Sequence, residues 1–194
     1  MPRQKSLFRT IFEPIAVAIA LALLVRAAVH LYSIPSASMA PTLQSGDQIV
    51  VTPYFFGRIP QRGDVVVFAS PLDRGELIVK RVVAVPGDLI DSRLGRVRVG
   101  GYTLPEPYLL GYASTGSIPA QVIPADSYFV LGDNRGDSID SRSWGVVPQH
   151  TIVGRARLVL WSSAPLGEPA QASDGDGRSA QRSRSRGRLF KWIE

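Results

Sequence analysis

From residue 33 onward the chain is written in short β-branched runs broken by Gly-Asp and Pro-Gly pairs. Gln48–Val51, Val65–Phe68, Ile78–Val85, Arg96–Val99, Tyr128–Leu131 and Thr151–Trp161 each read as a strand. Gly46-Asp47, Gly63-Asp64, Pro86-Gly87-Asp88 and Gly132-Asp133 read as the turns between them. No stretch in this region carries the 3.6-residue apolar period of a long amphipathic helix. The expected fold class is therefore mainly β, a compact domain of short antiparallel strands around one core. With 194 residues the chain is long enough for one such domain plus an anchor and a tail, and short for two domains.

Ahead of the strands lies an apolar segment. Residues 14–25, PIAVAIALALLV, are free of charge, and apolar residues continue to Tyr32 on the far side of Arg26. If Glu13 and Arg26 sit near its ends, the span approaches the roughly 20 residues a bilayer requires, and Arg26 can snorkel to the interface. A transmembrane anchor over residues 11–32 is the expectation. A cleaved secretory signal and a buried core helix are the competing readings. Arg3, Lys5 and Arg9 precede the helix, so the positive-inside rule places residues 1–10 in the cytoplasm and the β domain outside.

Charge narrows the partner classes. The net charge of +6 divides into +3 over residues 1–9, +5 over residues 178–194, and hence −2 over residues 10–177. A near-neutral body is a poor nucleic-acid platform, whereas the two basic flanks suit anionic lipid headgroups. There is no cysteine, which removes disulfides, thiolate metal sites and a cysteine nucleophile. Residues 163–188 are rich in Ser, Ala, Gly, Pro, Asp and Arg and too poor in large apolar residues to fold alone, so they read as a low-complexity basic linker. Residues 189–194 restore a short apolar cluster that can dock on the domain or rest on a membrane.

Three stretches carry groups capable of chemistry. In the first, residues 34–43, Ser36 and Ser38 sit between Pro35 and Pro41, whose fixed φ angles stiffen the backbone. A serine nucleophile needs such presentation together with a nearby base and donors for an oxyanion. Alone, a serine pair in a Pro-rich stretch is more commonly a solvated linker.

The choice of base is narrow. His30 lies in or beside the apolar helix, and His150 has no carboxylate near it in sequence, which leaves little for a Ser-His-Asp triad. Lys80 is the better candidate. Strand alternation puts it on one face with Ile78 and Val82, where desolvation favours the neutral amine that can accept a serine proton. Arg81 then points the other way, toward a structural ion pair. A solvated strand lysine is the bland alternative.

The third stretch, residues 132–142, is dense in short polar side chains. Asp133, Arg135, Asp137, Asp140 and Arg142 have the signs for ion pairs, and its Asp spacing loosely suggests a calcium loop. Two arginines interrupt that ligand run and the distal glutamate is missing, so no metal is expected. A self-satisfied polar scaffold fits better, with Ser138 hydrogen-bonded to the lysine.

Together, Ile34-Pro-Ser-Ala-Ser-Met-Ala-Pro-Thr-Leu43, Val79-Lys-Arg-Val-Val-Ala-Val-Pro-Gly-Asp88 and Gly132-Asp-Asn-Arg followed by Ser138, Asp140, Ser141 and Arg142 resemble the bacterial type I signal peptidases. The resemblance covers the chain from the helix to about Val147. It implies a membrane-bound serine endopeptidase of the bacterial plasma membrane that removes signal peptides from exported preproteins, with its catalytic domain at residues 33–162 outside the cytoplasm. It also implies Ser38 as nucleophile and Lys80 as general base. Ser36 and the Ser38 N–H would form the oxyanion hole, Ser138 would orient the lysine, and Asp133 with Arg81 and Asp140 with Arg142 would form structural ion pairs. No cofactor is implied. Substrate would bind extended, with small residues before the bond, over shallow pockets floored by Ile34, Pro35, Met39, Leu43, Ile78 and Val79.

Some features depart from the family pattern. Ala37 stands where many relatives have Gly, and Gly136-Asp137 replaces a more usual Asp-Asn pair. Only about fifty residues separate the second and third stretches, so the extra β domain of larger relatives is not expected. Tyr54, Phe55, Phe56 and Ile59 form either an apolar tip resting on the bilayer or a plain hairpin core. A Ser-Lys protease with another target and a tethered lipid- or nucleic-acid-binding β domain are the alternative functions.

Overall fold

The computed structural model describes residues 7–55, 57–73, 75–109, 111, 114–162 and 189–193. The expected linker at 163–188 lies outside them, as do Phe56, residues 1–6 and Glu194. The chain divides into two compact units, residues 1–30 and residues 31–194.

The first unit is one helix, α1 (Leu7–Ala28), with Pro14 inside it and Arg26 in its last turn. Ile11, Phe12, Ile15, Val17, Ile19, Leu21 and Leu23 are all exposed. Among the described residues no helix is long and apolar enough to cross a membrane. The helix ends at Ala28, short of the Tyr32 boundary expected for an anchor over residues 11–32. Charge-free residues run only from Pro14 to Val25, and β1 (His30–Ser33) takes the remainder into a sheet, with Tyr32 packed against the core.

The second unit is built from antiparallel β sheets, in agreement with the expected class. The larger sheet runs β1, β2 (Gln48–Thr52), β11 (Ile152–Trp161), β3 (Val65–Ala69), β4 (Leu77–Ala84), β9 (Ser127–Leu131) and β10 (Val147–Pro148). The C-terminal β12 (Leu189–Trp192) also pairs with β11, and Ile193 beyond it is buried in the core and donates its N–H to the Arg157 carbonyl. The apolar C-terminal cluster thus docks on the domain. A smaller sheet, β7 (Tyr102–Thr103), β6 (Arg96–Val99), β5 (Leu89–Arg93) and β8 (Gln121–Val122), occupies the interval between the second and third stretches. It belongs to the same compact unit.

The Gly-Asp pairs show how local chemistry sets the turns. Gly46, Gly63 and Gly87 have φ of 87°, 94° and 83°, a left-handed conformation that glycine enters without a Cβ penalty. The aspartate that follows each one accepts the N–H three residues back: Gln44 to Asp47, Gln61 to Asp64, Val85 to Asp88. Gly132-Asp133 was expected to be a fourth such turn and is not one. Gly132 lacks a positive φ, and Asp133 turns inward to Arg81.

The core that matters for function contains Ile34, Met39, Leu43, Ile49, Val51, Val65, Val67, Ala156, Val159 and Ile193, with Tyr32 and Val79 packed against it. Full burial of a side chain such as Met39 or Leu43 contributes roughly 1.5–3 kcal/mol. Val66, Phe68, Val82, Tyr128, Val130 and Val147 form a separate cluster, and a third lies under the small sheet.

Candidate active site

Residues 34–43 are pinned at intervals rather than along their length. Ile34, Met39 and Leu43 are 3%, 1% and 0% exposed. Between these anchors the chain turns, with Ala40 N–H donating to the Ala37 carbonyl at 3.0 Å and Leu43 N–H to the Met39 carbonyl at 2.9 Å. The intervening serines are left toward the surface, Ser36 exposed and Ser38 half-buried, with their Oγ atoms 3.2 Å apart.

Lys80 approaches from β4, where it pairs with Val66 of β3. Its Nζ lies 2.6 Å from Ser38 Oγ, and the residue is 5% exposed. Burial pushes its amine below the ordinary lysine range; the nearby Asp140 charge opposes this, and Arg142 adds to it. His150 sits exposed in a short 3-10 turn and makes no hydrogen bond to either serine.

The 132–142 stretch wraps the pair. Asp133 and Arg81 form a two-pronged ion pair, 2.9 Å and 2.8 Å, with side chains 0% and 1% exposed. Thr42 also donates to Asp133, which ties the serine segment to this pair. Arg81 reaches the Gly63 carbonyl and lies 3.9 Å over the Tyr108 ring. Asp140 and Arg142 pair at 2.8 Å, and Asp140 also accepts the Gly132 N–H at 3.0 Å. Burial pushes the Asp140 carboxyl up, but the Arg142 and Gly132 hydrogen bonds prevail and hold it below the usual carboxylate range.

Ser138 differs from the expectation. It makes no hydrogen bond to Lys80; its Oγ is buried and reaches hydrogen-bonding geometry with no described group, although it lies close enough to Asp140 to favour that carboxylate. Its surroundings explain the placement. A Cβ on Gly132 would overlap the Ser138 side chain, so this hydroxyl is packed directly over the glycine.

Two partners were missed in the sequence. Glu106 and Thr115 hold Arg135, whose Nε donates to the Gly132 carbonyl at 3.0 Å. Both come from the connection between β7 and β8 of the small sheet, and nothing in their neighbourhood in sequence marks them.

Beside Ser38 and Lys80 is a pocket of about 70 Å³ whose walls include Ile34, Pro35, Met39, Ile78 and Val79, with Tyr32, Val67, Glu76 and Leu77 added by the fold. Leu43 is not among them. It is wholly buried, because the turn from Met39 carries it into the core. The expected tip also divides. Tyr54 packs inward and donates to Asp64, while Phe55 and Ile59 are 45% and 47% exposed. Among the described residues no group of three or more His, Asp or Glu side chains is placed to hold a metal ion.

Comparison with known proteins places the chain in a family. Residues 8–161 match the model of the family described as signal peptidase, peptidase S26. A signal peptidase I of Leptolyngbya laminosa is 41% identical over 145 residues, covering 70% of either chain. A probable signal peptidase I-1 of Synechocystis is 40% identical over 162 residues, covering 78% of this chain and 82% of that one. The solved structure of a signal peptidase I from Enterococcus faecalis is 30% identical, covers 50% of this chain and 97% of that one, and superposes with a TM-score of 0.45. The family match over most of the length, with relatives of this identity, means that the chain belongs to the signal peptidase family, peptidase S26.

Proposed function

We propose that this protein is a serine endopeptidase that removes N-terminal signal peptides from exported preproteins, with Ser38 as nucleophile and Lys80 as general base. The observation that carries the reading is the 2.6 Å approach of a buried lysine Nζ to a half-buried serine Oγ. A desolvated amine is readily neutral, and a neutral amine has the lone pair needed to take the Ser38 proton.

The reaction is acyl transfer in two halves. Lys80 takes the Ser38 proton as Oγ attacks the scissile carbonyl, and the Ser38 N–H and Ser36 hydroxyl donate to the oxyanion. Collapse returns the proton from Lys80 to the leaving amine and leaves an ester on Ser38. Water then gives a proton to Lys80 and attacks the ester; the Ser38 Oγ–acyl bond breaks, Lys80 returns the proton to Oγ, and the signal peptide leaves with its new carboxyl group. Ser138 supplies a buried hydroxyl near Asp140, the carboxylate whose charge favours the ammonium when it forms. The pocket of about 70 Å³ beside Ser38, walled by Ile34, Ile78 and Val79, is where the side chain before the bond would sit.

Membrane attachment belongs to the same proposal. The exposed apolar side chains of α1 support its seating in a bilayer, and Arg3, Lys5 and Arg9 support a single pass with the N-terminus cytoplasmic and the β domain on the outer side of the plasma membrane. Alkaline carbonate extraction and protease accessibility test this part.

The catalytic reading is tested with detergent-solubilised protein and a preprotein carrying an Ala-x-Ala site. Wild type cleaves after the second alanine, and Ser38→Ala and Lys80→Ala do not. Cleavage that survives Ser38→Ala refutes the assignment.

A further inference from the structure

We propose that Asn134 is a positioning residue for the oxyanion-binding N–H of Ser38, acting through the Ala37–Ser38 peptide; the inference rests on Ser38 being the nucleophile. Asn134 holds both carbonyls that flank this serine. Its side-chain Nδ2 donates to the Ala37 carbonyl at 3.3 Å, and its backbone N–H donates to the Ser38 carbonyl at 3.0 Å.

The Ala37 carbonyl and the Ser38 N–H are opposite ends of one planar trans group, so fixing one end aims the other. Ala40 N–H donates to the same Ala37 carbonyl at 3.0 Å, which gives that oxygen a donor for each lone pair. No described group accepts the Ser38 N–H. It is held in direction from behind and left open in front, as an oxyanion donor must be. Donation to the carbonyl end also polarises the amide and strengthens its N–H as a donor.

The loop reaches this position because Gly132 lacks a Cβ. One placed there would stand 2.5 Å from the Ser38 carbonyl oxygen. Arg135 and Asp140 bind the two ends of Gly132, so Asn134 is offered to residues 37 and 38 from a fixed base.

The test compares wild type with Asn134→Asp, a near-isostere that turns an acceptor toward the Ala37 carbonyl. Four quantities are measured: kcat, KM, the affinity of a peptide aldehyde that forms a tetrahedral adduct on Ser38 Oγ, and the affinity of the unreactive product peptide. The expected result is a fall in kcat of roughly 10- to 100-fold, within or below the range for losing an oxyanion donor outright. Aldehyde affinity falls by a similar factor, while KM, product affinity and the pH midpoint of kcat/KM hold. If Asn134→Asp melts well below wild type, Asn134→Ala, which adds no carboxylate, carries the same comparison. Wild-type kcat and aldehyde affinity overturn the proposal, as does an equal loss of aldehyde and product affinity. Ser38→Ala is assayed alongside. Activity there overturns the serine assignment itself, whereas inactive Ser38→Ala beside wild-type-like Asn134→Asp overturns only the role of Asn134.

Discussion

Gly132 and Ser138 are packed so closely that no side chain fits between them: a Cβ on Gly132 would overlap the Ser138 side chain and stand 2.5 Å from the Ser38 carbonyl oxygen. Gly132→Ala must therefore push the loop off the nucleophile segment. The expected cost is about 1–3 kcal/mol of stability, the usual range for overpacking. Cleavage should fall far more than the melting temperature suggests, which parallel denaturation and steady-state assays will show.

With Lys80 as the proposed general base, its burial gives activity a pH dependence of definite sign. Its folded-state pKa lies below its unfolded value, so kcat/KM rises with pH through that lowered pKa and then levels. Linkage runs the same way. Between the two values the unfolded chain binds the extra proton, so stability gains with rising pH over that window. Lys80→Met removes the burden at neutral pH and should raise Tm by about 2–4 °C per kcal/mol recovered while abolishing cleavage. Calorimetry of the inactive variant at two pH values checks both statements.

Asp133 and Arg81 form a pair with essentially no exposure to solvent. Asp133→Ala leaves the buried guanidinium without its carboxylate and should destabilise the domain by about 3–5 kcal/mol, whereas replacing both partners by apolar residues of similar size should recover most of that. Urea unfolding of the single and double variants gives the comparison.

Ile78 lines the pocket beside Ser38. Ile78→Ala enlarges it, so preproteins with valine in place of alanine before the bond should gain in relative kcat/KM by about 10-fold or more, the usual value of one or two methylenes. Competition between two such substrates in one tube measures the ratio directly.

Ile193 is 6% exposed within the same core cluster as Met39. Ile193→Ala should lower stability by about 2–4 kcal/mol, in the range for large-to-small core changes. Chemical denaturation detects it.

The sequence revealed the strands wherever β-branched residues ran together: Val65–Ala69 and Arg96–Val99 fall where those runs do. β5 was missed because Leu89–Arg93 mixes charge and hydroxyl residues, and its place is set by pairing with β6. Three Gly-Asp turns were legible because their chemistry is local. The fourth pair was misread, since Asp133 answers to an arginine 52 residues away. The contact between Ser38 and Lys80 was legible from the scarcity of other bases and the apolar strand around the lysine. Leu43's retreat into the core and the grip of Glu106 on Arg135 were not, because both depend on contacts made only after the sheets assemble.

The placement of Ile193 bears on how the protein is made and worn. Met39, next to Ser38, and Ile193, far later in the sequence, share one cluster, so the floor under Ser38 is incomplete until Ile193 has been made and folded back. A chain trimmed before Leu189 would keep Ser36, Ser38 and Lys80 and still lack the Ile193 part of the core that anchors Met39.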